Sequence, residues 1–445
     1  MLKGVRSYVA TGQAEVESAS HGCPGAYHFP SHVGAYGYDT TLAAMSWDIP
    51  SCPGDSFGSL SISWNGIFAA LPFLWRWEYG LDTSLLRKHY PFLQKLLAFW
   101  DCHLTNGPDG PMDYGDCGWE CCGNTRPDPS GEDKLGDPNI AGSADPIMTV
   151  ALLPRFYDIL PEMAVAAGQP ASASKQAEWA ALAAGLRSPK VWTVGTGQYN
   201  NSGLLLRLNS STTIYGWQGR GFTRPAVAMR GNGPVNFAPV WPYEVVGQHS
   251  SAADMRVARD TINFMESWNN TNGFMTVFPA CIHAGMVDCI PRLISAVDQT
   301  MLPNLMAYQI GGGLEMAGGL EAVNAMLMQS TGGFISLFPV LPSLPAEDEV
   351  SFSRLRAKGA FVVSATLAGG QITFAEVESE RGTRCVVALP AHGDRSATRV
   401  VALGQGGQKG GEVALAWRTL RPSGKVAFSF ATSPGATYRL SFGKP

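Results

Sequence analysis

The sequence is poor in charge. Asp, Glu, Lys and Arg make up 15% of its 445 residues, against roughly 25% in typical soluble domains. Lys and Arg form no runs, and the formal net charge is -4, so the chain has little with which to neutralise the phosphates of a nucleic acid. We therefore expect no nucleic-acid partner.

Long apolar runs are also missing. No stretch reaches the roughly 18 consecutive apolar residues that indicate a membrane-spanning helix, and the opening residues MLKGVRSYVATGQAEVE lack the apolar core of a signal peptide. We expect no membrane partner. The location stays open between the cytoplasm and, if an upstream signal is missing, a secreted or endomembrane compartment.

The nine cysteines are an odd number spread along the chain, which argues against a disulfide scaffold. Cys281 and Cys289 are close enough in sequence to close a small loop. The run CGWECC at 117–122 resembles half of a metal site, but no second Cys or His pair follows at zinc-finger spacing. We expect neither a metal nor another cofactor.

Helical periodicity dominates between Ser61 and about Gln329. Asp82-Thr83, Asp145-Pro146 and Ser250-Ser251 supply helix starts. The periodic segments are FAALPFLWRWEYG, LDTSLLRKHYPFLQKLLAFWDCHL, DPIMTVALLPRFYDILPEMAVAAG, SSAADMRVARDTINFMESW and GGLEAVNAMLMQS. They predict helical hairpins over residues 61–343, entered by an N-terminal segment at residues 1–60.

The pattern changes after Pro345. Runs such as AFVVSATLAGGQITFAEVES alternate with period two and are rich in β-branched residues, and Gly369-Gly370 marks a hairpin turn. This pattern predicts a C-terminal antiparallel β-sandwich over residues 344–445.

Several stretches resemble a known family. AVNAMLMQSTGGFISLFPVLP, followed by FSRLRAKGAFVVSATLAGGQITFAEVESERGTRCVV, is similar to the end of the catalytic domain and the start of the C-terminal sheet in glycoside hydrolase family 95. SISWNGIFAALPFLWRWEYG and DPIMTVALLPRFYDIL resemble two further landmarks, so the resemblance covers roughly residues 45–390. The family's large N-terminal β domain does not precede Ser61, which predicts a truncated or naturally short chain.

The resemblance implies a fold and an activity. The fold is mainly α, an (α/α)6 toroid of six helical hairpins followed by the β-sandwich. The activity is hydrolysis of glycosidic bonds, with inversion, in a plant or algal oligo- or polysaccharide. The implied partner is thus a carbohydrate substrate, and the oligomeric state is not specified.

Inverting hydrolysis needs a protonated general acid and an ionised base about 6.5 to 9.5 Å apart, with room for a water. The family's general acid lies in the loop before the Asp145 helix. There we choose Glu120, because Trp119 and the neighbouring cysteines would favour its protonated form by desolvation. Asp116 and Asp113 are the alternatives.

The base is less clearly matched. The family carries an Asp in the run F-Q-I-D-G-N-F-G-G, where this chain continues from Tyr308-Gln309-Ile310 into Gly311. Glu315, four residues further on among glycines, is our choice for the carboxylate that activates the water. The alternative is that it caps the helix that follows.

The predicted substrate contacts lie around these acids. The family's Asn-Ile-Asn triplet, which positions the water, reads Ser61-Ile62-Ser63 here, and Asn65 is a replacement. Tryptophan faces suit pyranose rings, although core packing is the alternative for each ring. The predicted contacts are Ser63, Trp64, Asn65, Trp119, Trp217, Trp241, Tyr243, Glu244, His283 and Gln309.

Two other functions stay open. A carbohydrate-binding protein without catalysis would keep the aromatic residues but lack two productively spaced acids. A polysaccharide lyase would use Tyr and His beside a uronate, but the candidate loops carry few basic residues to bind that uronate.

Overall fold

The computed structural model describes most of the chain: residues 7–29, 64–107, 110–116, 143–144, 147–186, 191–194, 197–201, 204–208, 211–218, 225–226, 235–266, 268, 271–303, 316–345, 347–404 and 409–443. The chain forms two compact units. Unit 1 comprises Met1–Leu74, Thr83–Pro239 and Asn263–Ser267, and unit 2 comprises Trp75–Asp82, Val240–Ile262 and Trp268–Pro445. The boundaries predicted after residues 60 and 343 remain predictions.

All five segments with helical periodicity are helical. The described α-helices are α1 Gln13–Ser20, α2 Trp64–Gly80, α3 Thr83–His103, α4 Ile147–Ala166, α5 Ala173–Leu186, α6 Ala252–Met265, α7 Thr271–His283, α8 Ile290–Thr300 and α9 Met316–Leu327. The structure confirms two of the three predicted helix starts. Helix α3 begins at Thr83, and Ser251 caps α6 because its Oγ accepts from the Asp254 N–H at 3.1 Å. None of the described helices is long and apolar enough to cross a membrane.

The predicted mainly α fold with an (α/α)6 toroid is wrong. Six hairpins require twelve helices, whereas ten are found in the described part of the chain, including the helical residues 7–10. Around α4 and α5 the chain forms short strands instead. They are β1 Thr105–Gly107, β2 Gly110–Met112, β3 Tyr114–Asp116, β4 Ser143–Ala144, β5 Val191–Val194, β6 Gly197–Asn201, β7 Leu204–Leu208, β8 Thr212–Tyr215, β9 Trp217–Gln218 and β10 Pro225–Ala226.

The physical reason is local composition. The stretches that form these strands are rich in Gly, Asn and Thr, which are poor in helix interiors, and VWTV and TTIY are β-branched or aromatic. Strands β1 and β2 pair, as do β6 and β7, and β5 pairs with β8. A further small sheet has the order β10-β9-β4-β3.

The C-terminal part is a β-sheet region, as the alternating pattern predicted. Its strands are β11 Met328–Gln329, β12 Ser336–Leu337, β13 Glu349–Ala357, β14 Phe361–Ala368, β15 Gln371–Ser379, β16 Cys385–Ala388, β17 Arg399–Leu403, β18 Lys409–Glu412, β19 Ala416–Thr419, β20 Val426–Phe430 and β21 Ala436–Ser441. A six-stranded sheet has the order β13-β14-β15-β21-β17-β18, and a three-stranded sheet the order β16-β20-β19. The predicted hairpin turn is present, because Gly369 and Gly370 have φ of 56° and 73° and join β14 to β15.

The two large sheets share one apolar core. Val363 and Ala365 on β14 and Phe428 and Phe430 on β20 are fully buried in the same cluster. Burial alternates along β15, where Ala375 and Val377 point into the core as the period-two pattern predicts, whereas β20 buries four consecutive residues, 427–430.

Each unit contains one described disulfide. Cys23 pairs with Cys102 in unit 1, and Cys281 pairs with Cys289 in unit 2. The second pairing was predicted and is confirmed, whereas the first was not anticipated. Cys385 is a buried free thiol.

Candidate functional site

The end of helix α2 presents three side chains on one face. Glu78 and Tyr79 follow Trp75 by three and four residues, the spacing at which helical side chains are neighbours. The helix stops at Gly80, because Leu81 takes a left-handed φ of 47° while its N–H still donates to the Trp77 carbonyl at 2.8 Å. The last turn of α2 therefore carries an aromatic ring, a carboxylate and a phenol together.

A second segment, in the same unit, lies against this helix end. The Trp241 ring stacks on Trp75 at 5.8 Å between centroids and on His283 at 5.1 Å, each with an interplanar angle of 17°. Both tryptophans are partly exposed. Three residues further on, Glu244 has a φ of 53°, which is uncommon for a residue other than glycine and is often found at functional sites.

Lys358 joins the two segments. Its Nζ lies 2.5 Å from Glu244 Oε2 and 3.0 Å from Glu78 Oε2. The exposed fractions of the three side chains are 15%, 3% and 13% for Lys358, Glu244 and Glu78. Charges this deeply buried need paired groups, and the lysine supplies an ion pair to both carboxylates.

The backbone fixes the lysine in place. Lys358 follows strand β13, and its N–H donates to Ser330 Oγ at 3.1 Å. The next N–H, that of Gly359, donates to the Glu78 carbonyl at 2.7 Å. Gly359 has a φ of 89°, which glycine tolerates without strain. The turn between β13 and β14 is thus tied to the end of α2.

Tyr79 lies within the same group of charges. Burial raises the pKa of Tyr79 well above its usual value, and the carboxylates of Glu244, Glu321 and Glu78 raise it further. The Lys358 ammonium lies 5.8 Å from the centre of the phenol ring. Tyr79 is therefore a protonated phenol at neutral pH.

A histidine and a third glutamate complete the cluster. His283, at the end of α7, has Nε2 3.6 Å from Glu321 Oε1. His283 is almost fully buried, whereas the Glu321 side chain is 33% exposed. We refer to Trp75, Glu78, Tyr79, Trp241, Glu244, His283, Glu321 and Lys358 as the Lys358 cluster.

Three of the predicted site residues meet in this cluster: Trp241, Glu244 and His283. Tyr243 is fully buried, so it packs in the interior and offers no ring face to a substrate. Asp113, an alternative acid, is also fully buried, with Oδ1 3.1 Å from His103 Nε2 in unit 1.

The other predicted residues are less fully covered. For Trp64, Asn65, Asp116 and Trp217 the structure describes the backbone, at the start of α2, the end of β3 and the start of β9. The remaining predictions lie outside the described residues: Ser63, Trp119, Glu120, Gln309 and Glu315.

Five members of the cluster were missed by sequence reasoning: Trp75, Glu78, Tyr79, Glu321 and Lys358. The run WRWEYG was a usable signal, since it places a lone glutamate among aromatic residues at a helix end. Lys358 had no signal, because its partners lie more than a hundred residues away along the chain.

The cluster has the components of a binding site for a polar, ring-shaped ligand. Partly exposed aromatic rings provide flat apolar area, and carboxylates, a phenol and an ammonium provide hydrogen-bonding groups. The carboxylates of Glu78 and Glu244 share the Lys358 ammonium, and that of Glu321 lies near the His283 ring. Among the described residues, the group that can hold a metal ion is a different one, Glu17, His21 and His28 in unit 1.

Comparison with known proteins adds no relatives. No protein-family model matches this chain, and no curated protein matches it either.

Proposed function

We propose that this protein binds a carbohydrate and hydrolyses its glycosidic bonds, acting on a plant or algal oligo- or polysaccharide. The observation that supports this most is the Lys358 cluster, in which partly exposed tryptophans lie beside three glutamates. An aromatic face packs well on the apolar face of a pyranose, and carboxylates accept hydrogen bonds from its hydroxyl groups. The sequence resemblance to a glycosidase family independently favours the same substrate class.

Within this proposal, Glu78 and Glu244 bind sugar hydroxyls and are not the acid–base pair. Their Oε2 atoms both contact Lys358 Nζ, at 3.0 and 2.5 Å, so they cannot lie farther apart than those two distances combined. An inverting pair needs about 6.5 to 9.5 Å. Ionised carboxylates make such contacts with an ammonium, whereas a general acid enters the reaction protonated.

The acid and the base of the proposal are therefore the two sequence-based choices. Glu120, with Asp116 as the alternative, protonates the glycosidic oxygen as the bond to the anomeric carbon breaks. Glu315 accepts a proton from a water that attacks this carbon from the opposite face. The product sugar then has the inverted configuration.

Carbohydrate binding without hydrolysis is the second candidate. The contacts of Lys358 favour it, because they engage Glu78 and Glu244 in ion pairs that suit binding better than proton transfer. A lyase is disfavoured, because burial and, to a smaller extent, the nearby carboxylates raise the pKa of Tyr79, so the phenol stays protonated at neutral pH and is not available as a base. The same carboxylates would repel a uronate.

Product release tests hydrolysis. The protein is screened on aryl glycosides and on plant and algal polysaccharides, and the anomer formed first is identified by NMR. The variant Glu120→Gln should lose turnover of substrates with poor leaving groups but keep turnover of activated aryl glycosides, which need no proton donor. Equal residual activity on both classes would reject Glu120 as the acid.

Binding is tested separately by calorimetry. Trp75→Ala and Trp241→Ala should each weaken sugar binding about tenfold, which corresponds to ~1.4 kcal/mol. Trp417→Ala is the matched control, because Trp417 is also a partly exposed tryptophan of unit 2 but packs on Phe428 and Arg395. Binding without product release would select the second candidate, and no sugar binding would reject both.

A further inference from the structure

Helix α1 and the loop after it bring three metal-ligating side chains together. The ligand atoms of Glu17, His21 and His28 lie within 4.8 Å of one another. Glu17 Oε1 is 3.6 Å from His21 Nε2 and 3.8 Å from His28 Nδ1. These distances exceed the 2.7 to 3.2 Å of ordinary hydrogen bonds, so the three groups face one another without direct hydrogen bonds between them.

The chain positions these groups by means other than their mutual attraction. Glu17 and His21 are four residues apart and thus share one side of the end of α1. His28 returns to the helix because its N–H donates to the Ala14 carbonyl at 3.0 Å. The Cys23–Cys102 disulfide anchors the intervening loop. The arrangement is therefore held by backbone and covalent contacts.

We propose that Glu17, His21 and His28 form a binding site for a divalent transition metal, with zinc as the best fit. Two imidazole nitrogens and one carboxylate oxygen are a common zinc donor set, and the fourth position is then filled by water. Bonds of about 2.0 to 2.2 Å place tetrahedral ligand atoms roughly 3.3 to 3.5 Å apart. The observed spacing is wider, at 3.6 and 3.8 Å from Glu17 Oε1 to the two imidazoles and within 4.8 Å for all three ligand atoms.

The burial pattern allows the required contraction. His28 is almost fully buried and is the fixed ligand, whereas the Glu17 and His21 side chains are 32% and 28% exposed and can rotate toward it. The exposed side also gives the ion a route from solvent.

Metal titration of the full chain tests the proposal. The protein is purified without reductant, so that the Cys23–Cys102 disulfide persists, stripped with a chelator and titrated with Zn²⁺ against a chromophoric competitor. We expect one zinc per chain. Glu17→Gln and His21→Gln should each weaken zinc binding by at least about 10- to 100-fold, the loss that even an outer-shell partner of a zinc ligand causes. Co²⁺ in place of Zn²⁺ should give the visible absorption of a tetrahedral site.

The controls separate ligation from folding. Both substitutions lie at partly exposed positions, and circular dichroism should confirm that they leave the fold intact. His392→Gln, at an exposed histidine of the C-terminal region, should bind zinc like the unaltered chain. Absence of stoichiometric zinc binding, or binding that neither Glu17→Gln nor His21→Gln weakens, would overturn the proposal.

Discussion

The Lys358 cluster and the Glu17–His21–His28 group are built in opposite ways. The second comes from 12 consecutive residues, 17–28, and a disulfide secures it. The first collects side chains from helix α2, the 240–250 segment, α7, α9 and the turn after β13, and ion pairs secure it. One arrangement is local and cross-linked, and the other is long-range and non-covalent.

The difference shows where each site is vulnerable. The Glu17–His21–His28 group keeps its geometry as long as the loop after α1 stays packed against the helix. The Cys23–Cys102 disulfide anchors that loop, so breaking it should disturb the group most. A long-range group depends on a few buried charges, and removal of one of them takes away an ion-pair partner of the others in the interior. Substitutions at these two points should therefore be far more damaging than comparable changes elsewhere.

The largest effect is expected from the covalent link. Cys23→Ala with Cys102→Ala opens a closure between residues 79 apart, whereas Cys281→Ala with Cys289→Ala opens one between residues 8 apart. Chain-entropy arguments give losses of about 4 to 5 and about 2 to 3 kcal/mol in the free energy of unfolding. Denaturant unfolding of the two double variants measures the difference. Equal losses would mean that loop closure is not what the first disulfide contributes.

The next effect concerns the buried charges. Lys358→Met removes the ammonium that Glu78 and Glu244 both contact in the interior and should lower the free energy of unfolding by about 3 to 5 kcal/mol. Arg354→Met is the matched control, since it removes an ion pair with Glu378 that is largely exposed; the loss there should be under about 1 kcal/mol. Thermal and urea unfolding compare the two. Similar small losses would show that water screens the Lys358 cluster in solution.

The smallest effect tests an exposed ion pair as a function of pH. Arg356 makes two hydrogen bonds to Glu380, at 2.8 and 3.0 Å, and these lower the pKa of Glu380. A lowered pKa stabilises the fold above the unfolded pKa, and this contribution is lost as pH falls through the folded value. Glu380→Gln should thus cost under about 1 kcal/mol at pH 7 and almost nothing near pH 2. Glu349→Gln, an exposed substitution on β13, should have no effect at either pH.

Much of the secondary structure could be predicted from the sequence. The apolar spacing in α3 and the cap at Ser251 are local features, and the Gly369-Gly370 turn needs only its two neighbouring strands. The Cys281–Cys289 pair was predictable because few residues separate the two cysteines. The predicted ring of hairpins was wrong, since short strands such as β5 and β8 have no periodicity long enough to distinguish them from loops.

The candidate site shows the same difference between features with local causes and features that depend on distant parts of the chain. Trp241 and Glu244 were among the predicted substrate contacts, and their side chains do meet other cluster members. Lys358, the ion-pair partner of Glu244, follows strand β13 in a stretch whose sequence is typical of an exposed turn. Sequence reasoning therefore found part of the cluster and missed the residue that connects it.

By itself the sequence determined the elements whose causes are local: apolar period, caps, glycine turns and the period-two strands of the C-terminal region. Only the tertiary structure decided which of those elements meet, and so it alone placed the Lys358 ammonium between Glu78 and Glu244. The physical reason is that helix and strand patterns depend on neighbours within a few residues, whereas the pairing of buried charges depends on distances that no local pattern encodes.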